Sequence, residues 1–200
     1  MLPLGGIALT LAALIPPGRV TGWLSGAILL GFAGSSVQLS GIWHSTEALW
    51  QTAAARYPEE LRSTVAWAGA VQERDPAEAR AIYETALKEH PDSPRLHTGY
   101  GNVLFALGLD KPAEAAWQYA LTLDPTHKKA LQNSMVQRTR TGRADEAIPL
   151  GERLVATYPM YIEGWDGLAA AYLAVQDGQG ARVAAERAVA LSPHLSLIHI

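Results

Sequence analysis

The chain contains no cysteine, which excludes disulfide bonds, thiol catalysis and zinc sites with cysteine ligands. It also lacks a basic cluster and carries a net charge of -3. Because phosphate binding requires clustered lysine and arginine, we expect no nucleic-acid partner. The six histidines are scattered without the spacing of a metal site, so we expect no metal and no cofactor.

Motifs of catalysis are also missing. The sequence has no Walker A motif, no GxSxG and no pair of carboxylates with a plausible pocket. Asp and Glu stand mainly at predicted helix starts, such as Asp75 and Asp145, where they stabilise the helix dipole. We therefore predict no catalytic residue in this chain.

Charge is nearly absent from the first part of the chain, where Arg19 is the single charged residue before His44. Residues 20–39 carry no charge, and as a helix they would extend about 30 Å, the thickness of a bilayer's hydrocarbon core. Trp23 and Trp43 stand where an aromatic belt would lie. We predict a transmembrane helix here; the alternative is a buried helix of a soluble core.

Residues 1–15 are also uncharged, but as a helix they would extend only about 22 Å before the prolines that follow. A signal peptide would need a positively charged start and a cleavage site, and neither is present. We therefore expect residues 1–39 to form a transmembrane hairpin with a truncated first helix, Met1 being internal to a larger polytopic protein. Arg19 weakly favours a cytoplasmic turn, although Arg56 and Arg62 compete with it. The predicted location is integral to the membrane, with the later region extracytoplasmic, in a periplasm or lumen.

A 34-residue period dominates the rest of the sequence. Its markers are Pro91, Pro125, Pro159 and Pro193, with Ala79, Ala113, Ala147 and Ala181 on the same spacing. Agreement of four copies at several positions is too regular for chance. The period indicates one supersecondary unit repeated along the chain.

The period and its residue types resemble the tetratricopeptide repeat, a helix-turn-helix unit. The fourth copy matches that pattern most fully, with Trp165, Leu168, Tyr172, Ala181, Ala188 and Pro193; the second has Gly101, Gly108, Ala113, Trp117, Ala120 and Pro125; the first has Ala79, Tyr83, Ala86 and Pro91. The third copy keeps Gly142, Ala147 and Pro159, but has Gly151 where an aromatic is usual and Leu154 where alanine is. The resemblance implies an all-α fold in which residues 59–194 form about four repeats of a right-handed α-solenoid.

Residues 40–58 carry the ending of such a repeat alone, with Trp50, Ala53 and Pro58. We predict a junction or capping helix there, with Ser45 or Thr46 as its N-cap. Pro58 and Pro91 are 33 residues apart rather than 34. The first helix of the first repeat is therefore predicted to be one residue short.

The family resemblance also implies a binding surface, because these solenoids hold protein or peptide segments on the concave face of their first helices. By repeat register, the predicted peptide-binding residues are Arg95, Thr98, Asn102, Phe105, Lys129, Gln132, Asn133, Val136 and Arg140, followed by Glu163, Asp166 and Leu173. Asn102 and Asn133 fall where family members bind a ligand's backbone. A clamp for a chaperone's terminal carboxylate would need basic residues at Thr98, Glu163 and Gly167, so it is not expected. The alternative is that these positions are solvated polar helix faces.

Two functions fit this organisation. One is a membrane-anchored module that mediates protein–protein interaction or assembly next to the lipid bilayer. The order of hairpin, tryptophan-containing junction and repeats also resembles the transmembrane-and-tetratricopeptide-repeat proteins, which are O-mannosyltransferase-like glycosyltransferases. The resemblance implies that the chain would then be a non-catalytic C-terminal region, with the active site upstream.

The last residues, 195–200, leave the repeat pattern. We interpret them as a non-native tail, since they resemble a translated sequencing adapter; the alternative is an apolar tail that packs on the last helix. Because a solenoid normally closes with a polar capping helix, we expect the apolar side of helix 178–191 to be unprotected.

Overall fold

The structure, a computed structural model, describes residues 45–57 and 59–192. Every regular element in these two ranges is an α-helix: α1 (Thr46–Arg56), α2 (Leu61–Gln72), α3 (Pro76–Glu89), α4 (Pro94–Ala106), α5 (Asp110–Leu123), α6 (Lys128–Arg140), α7 (Ala144–Thr157), α8 (Ile162–Ala174) and α9 (Gly178–Leu191). The chain divides into two compact units, residues 1–70 and 71–200. The predicted hairpin (residues 1–39) and the predicted tail (residues 195–200) lie outside the described residues.

In the first unit, α1 begins directly after Ser45. The Ser45 hydroxyl oxygen accepts a hydrogen bond from the Ala48 amide at 3.3 Å, which confirms the predicted N-cap. α2 has 12 residues, whereas α4, α6 and α8 each have 13, as the 33-residue proline spacing predicts. Neither α1 nor any other helix in the described residues is long and apolar enough to cross a bilayer.

In the second unit, the helices pack as pairs in chain order. α4 contacts α5, α6 contacts α7, and α8 contacts α9, so each pair occupies one 34-residue copy. Contacts of α3 with α4, α5 with α6 and α7 with α8 join successive copies, and α6 also contacts α8. The arrangement is an all-α solenoid of the tetratricopeptide-repeat type, in which each pair buries its apolar side against a neighbour.

Small residues let these helices approach closely. Tyr83 occupies the space beside Gly99, Trp117 that beside Gly101, and Tyr172 that beside Gly180. A Cβ on Gly101 would lie 2.5 Å from the Trp117 indole nitrogen, too close for any real contact. The aromatic side chains of the repeat pattern therefore require glycine on the helix they face.

In the third copy a methionine takes the place of the aromatic side chain. Gly151 stands where the repeat pattern has an aromatic, and Met135 fills the space instead. Its sulfur would lie 2.7 Å from a Cβ on Gly151, and its methyl group packs against Gly167. An unbranched thioether can follow this irregular gap because it has three rotatable bonds.

Each joint between copies carries one recurring side-chain hydrogen bond. Residues 84, 118 and 152, spaced 34 apart, accept it from a first helix of the next copy. The donors are Tyr100 Oη to Glu84 at 3.0 Å, Arg138 Nη2 to Gln118 at 3.3 Å, and Tyr172 Oη to Glu152 at 2.7 Å. One position of the second helix therefore accepts a hydrogen bond at three successive joints.

The joint between α5 and α6 has additional ion pairs. Nη1 and Nη2 of the Arg143 guanidinium donate to the two oxygens of the Glu114 carboxylate, at 2.9 and 2.8 Å. Arg138 Nε donates to the same carboxylate at 3.2 Å. The hydrogen bond from Arg143 holds the pKa of Glu114 below its usual value, against the opposing effect of burial. This carboxylate ties α5 to the start of α7 as well as to α6.

Candidate functional site

A groove of about 450 Å³ opens between α4 and α6. We call it the α4–α6 groove; its lining residues are Gln72, Asn102, Phe105, Ala106, Trp117, Gln132, Asn133, Val136 and Gln137. Five of these belong to the set that repeat register predicted, namely Asn102, Phe105, Gln132, Asn133 and Val136. The structure thus brings the centre of the predicted set together.

A chain of hydrogen bonds fixes the two asparagines in this groove. Trp117 Nε1 donates to Asn102 Oδ1 at 3.0 Å, and Asn133 Nδ2 donates to the same oxygen at 2.5 Å. Trp117 Nε1 also contacts the Thr98 carbonyl at 3.2 Å. Because an indole nitrogen can only donate, Asn102 must turn its oxygen toward Trp117, and Asn133 must then approach with its nitrogen.

This orientation determines what the asparagines offer to a ligand. Both lone pairs of Asn102 Oδ1 are occupied, so its amide nitrogen remains as a donor. Asn133 has given one N–H to Asn102, so its oxygen remains as an acceptor. Both side chains are only half-buried. The α4–α6 groove therefore presents one fixed donor and one fixed acceptor side by side.

One end of the groove is apolar and is bordered by an arginine. Phe105 packs against Trp117 with ring centroids 5.7 Å apart, and the Arg140 guanidinium lies 5.4 Å from the Phe105 centroid. Val136 lies beside them with 41% of its surface exposed. An apolar side chain of a ligand could be buried here under a positive charge.

The other end carries a lysine held by its neighbours. Lys129 Nζ donates to Gln132 Oε1 at 3.1 Å and to the Tyr161 hydroxyl oxygen at 3.3 Å. The Tyr161 hydroxyl in turn donates to Gln132 Oε1 at 2.6 Å. Lys128 lies over the Tyr161 ring at 4.8 Å. Tyr161 therefore positions the charged end of Lys129 without neutralising it.

Thr98 is not accessible in the way repeat register predicted, because only 4% of it is exposed. Its hydroxyl donates to the Pro94 carbonyl at 2.7 Å and lies 3.3 Å from His127 Nδ1. The His127 ring turns back to accept from the Ala130 amide at 3.4 Å and so covers Thr98. Burial lowers the pKa of His127; the charge of Asp124 opposes this effect and that of Arg95 adds to it.

The remaining predicted residues lie outside the groove lining. Arg95 is exposed near the start of α4, and Glu163, Asp166 and Leu173 are exposed on α8. Repeat register missed Trp117, which lies on a second helix, and Tyr161, which immediately precedes α8. The 34-residue spacing of the aromatic residues Tyr83 and Trp117 is the sequence feature that could have pointed to Trp117.

A second cavity, of about 440 Å³, lies among α7, α8 and α9. Its apolar lining includes Val155, Trp165, Leu168 and Val183. Val183 and Val189 of α9 are about half exposed. In residues 45–57 and 59–192, no three histidine or carboxylate side chains come together as a metal-ligating cluster.

Comparisons with known proteins agree with this fold. Residues 70–118 match the family model of the tetratricopeptide repeat. The chain is 35% identical over 109 residues to cellulose synthase operon protein C of Xanthomonas axonopodis pv. citri (strain 306). That match covers 54% of this chain but only 7% of the relative, so the chain spans a small part of that protein's length.

Solved structures give the same result. A thermophilic TPR protein of Thermus thermophilus superposes with a TM-score of 0.65 at 16% identity, covering 80% of this chain and 89% of that one. MamA superposes with a TM-score of 0.64 at 15% identity, covering 82% of this chain and 96% of MamA. YrrB, described as a TPR protein with an unusual peptide-binding site, superposes with a TM-score of 0.58 at 18% identity. The match covers 82% of this chain and 84% of YrrB. Identities this low establish the fold alone.

The helix pairs define a class, the α-solenoids built from a repeated helix-turn-helix unit. The family match over residues 70–118 and the 34-residue period identify the repeated unit as one of the tetratricopeptide repeat (TPR) type. The fold suggests a role in protein–protein interaction.

Proposed function

We propose that this chain is a peptide-binding module and that the α4–α6 groove, on the concave face of the solenoid, is its binding site. The observation that carries the proposal is the orientation of Asn102 and Asn133 by Trp117. The chain has no other asparagine, and the fold brings these two within hydrogen-bond distance across two repeats.

An extended peptide is the ligand that this arrangement fits. Its backbone presents an N–H and a C=O at each residue, and these groups must be satisfied when they leave water. The free oxygen of Asn133 can accept from the peptide N–H, and the free nitrogen of Asn102 can donate to a peptide C=O. Because both amides are held in place before binding, little side-chain entropy is lost when the ligand arrives.

A selection experiment tests this proposal. A displayed library of random heptapeptides is selected on the full chain, and the affinities of enriched peptides are measured with the wild type and with the double variant Asn102→Ala, Asn133→Ala. We expect the double variant to lose binding while helicity and thermal midpoint stay close to wild type, since Trp117 Nε1 keeps the Thr98 carbonyl as an acceptor.

The control for that experiment is Gln179→Ala, which removes an exposed amide from α9. It should bind the selected peptides as the wild type does. Failure of the library to yield any binder, or equal affinity of the double variant, would refute the proposed site.

We also propose that the module is anchored next to a lipid bilayer. The support is residues 20–39, which carry no charge over a length sufficient to span a membrane. The weak charge bias of Arg19 favours an extracytoplasmic position for the repeats. Protease treatment of sealed vesicles tests this orientation, because digestion of the repeats from the cytoplasmic side would contradict it.

The alternative function is that of a non-catalytic C-terminal region of a polytopic, O-mannosyltransferase-like glycosyltransferase. It is supported by the order in the sequence of an apolar segment, a junction with Trp43 and Trp50, and repeats. The upstream reading frame distinguishes the two: eight or more further spans, with an acidic pair in the first large loop, would favour the transferase.

A further inference from the structure

The two helices that form the walls of the α4–α6 groove are unusual in charge. They contain Arg95, Lys128, Lys129, Arg138 and Arg140, and no aspartate or glutamate. The chain as a whole is acidic, with a net charge of -3. The next first helix, α8, shows the opposite pattern, since it contains Glu163 and Asp166 and no cation.

Most of these cations have no carboxylate partner. Arg138 is paired with Glu114 and Glu146. Within residues 45–57 and 59–192, no carboxylate lies within 4.0 Å of the charged groups of the other four, which are Arg95, Lys128, Lys129 and Arg140. Lys129 and Arg140, at the two ends of the groove, therefore form no ion pair within the described part of the chain.

Two of these cations lie in line with the asparagine pair. Lys129, Asn133, Val136 and Arg140 are spaced i, i+4, i+7 and i+11 on α6, which places them along one face. The helix rises about 16 Å between Lys129 and Arg140. Val136 lies about 6 Å from the Arg140 end on the same scale.

We infer that the groove selects an extended acidic peptide segment in which two carboxylates, four residues apart, flank an apolar residue. This inference rests on the proposed peptide-binding function. Side chains i, i+2 and i+4 of an extended chain point to the same side, and four residues cover about 13 Å. The long side chains of Lys129 and Arg140 cover the remaining distance to the carboxylates.

Each part of that segment has a partner in the groove. Lys129 uses two of its three N–H groups on Gln132 and Tyr161, so one remains for a carboxylate. Arg140 can offer a planar pair of donors at the other end. The apolar residue between them meets Phe105 and Val136, about two peptide residues from the Arg140 end.

The test uses three fluorescent heptapeptides with the same leucine and spacer residues. The first peptide carries glutamate two residues before and two residues after the leucine. The second carries glutamine at these two positions, and the third carries lysine. With the full chain at low salt, we expect the glutamate peptide to bind about tenfold tighter than the glutamine peptide, equivalent to about 1.4 kcal/mol. The lysine peptide should bind weakest, and added salt should reduce the preference.

Matched charge variants assign the effect to residues. The double variant Lys129→Gln, Arg140→Gln should bind the glutamate and glutamine peptides equally. The variant Lys88→Gln, Arg187→Gln, which loses the same charge from exposed positions on α3 and α9, should keep the tenfold preference.

The outcomes separate this inference from the proposed function. Equal binding of all three peptides by the wild type would overturn the acidic preference but leave peptide binding intact. A preference that survives in Lys129→Gln, Arg140→Gln would overturn the roles given to these two residues. Absence of binding by all three peptides, and by every random heptapeptide, would overturn the groove as a peptide site.

Discussion

The second and third repeats differ from the fourth in how their helices are capped and joined. Residues 93, 127 and 161 are equivalent N-caps of α4, α6 and α8, but only the first two accept a backbone N–H with their side chains. Gly108 and Gly142 occupy the left-handed turn between the helices of the second and third repeats, whereas Gln176 holds this conformation in the fourth, at φ 62°. At the second helix the pattern is reversed, since the Asp177 side chain caps α9 while residues 109 and 143 do not cap α5 and α7.

Tyr161 explains part of that difference. It gives up side-chain capping of α8, and its hydroxyl instead binds Gln132 and Lys129 at the end of the α4–α6 groove. A position that caps a helix in one repeat thus holds side chains of the candidate site in another. Because the stability of a solenoid is roughly the sum of repeat and interface contributions, the loss at one cap can be offset at a joint.

The largest expected effect comes from breaking the packing of the second repeat. In Gly101→Ala the new Cβ would meet Trp117 Nε1 at 2.5 Å and the Ala113 carbonyl at 3.1 Å. Since the backbone carbonyl cannot move away easily, we expect a loss of about 2 kcal/mol in the free energy of unfolding. Urea denaturation measures it, and peptide affinity should fall as well, because Trp117 orients Asn102.

Gly69→Ala is the matched control for that substitution. A Cβ on Gly69 meets nothing within 4 Å, and the residue is exposed inside α2. Alanine should therefore stabilise the helix by roughly 0.5–1 kcal/mol. If both glycines tolerate alanine equally, close aromatic–glycine contact is not what joins these repeats.

Several features of the fold follow from sequence alone, for identifiable reasons. Proline and alanine recur because they end and pack helices, so the 34-residue spacing predicts a helix over residues 178–191, where α9 lies. Ser45 is predicted as a cap because its hydroxyl acts on a nearby amide. These are local rules, and they hold wherever neighbouring residues decide the conformation.

The candidate site depends on contacts between repeats, which the register of one helix does not contain. Sequence places Asn102 and Asn133 on first helices but cannot show that Trp117 orients both amides. Thr98 also lies on a first helix, yet His127 covers it from the next repeat. Likewise, nothing in the sequence around Gly151 shows that Met135 fills the space that an aromatic side chain occupies in other repeats.

A smaller effect should come from repairing the turn of the fourth repeat. Gln176 adopts a left-handed conformation that costs a residue with a Cβ about 1–2 kcal/mol. Gln176→Gly removes this cost but adds backbone entropy to the unfolded state, so we expect a net gain of about 0.5 kcal/mol. Gly142→Ala, at φ 77°, should lose about 1 kcal/mol for the opposite reason. Thermal unfolding of both variants measures the difference, and the same sign of change in both would contradict a shared turn geometry.

The smallest effect concerns the cap of the third repeat. Burial lowers the pKa of His127 in the folded chain, so the unfolded chain takes up a proton more readily. The stability that this ring contributes is therefore present above about pH 6.5 and is lost on acidification below it. His127→Asn keeps an oxygen to cap α6, and should flatten the dependence of urea stability on pH between 7.5 and 5.5. Because the ring is only half-buried the change should be modest, and an unchanged slope would assign the pH dependence to another group.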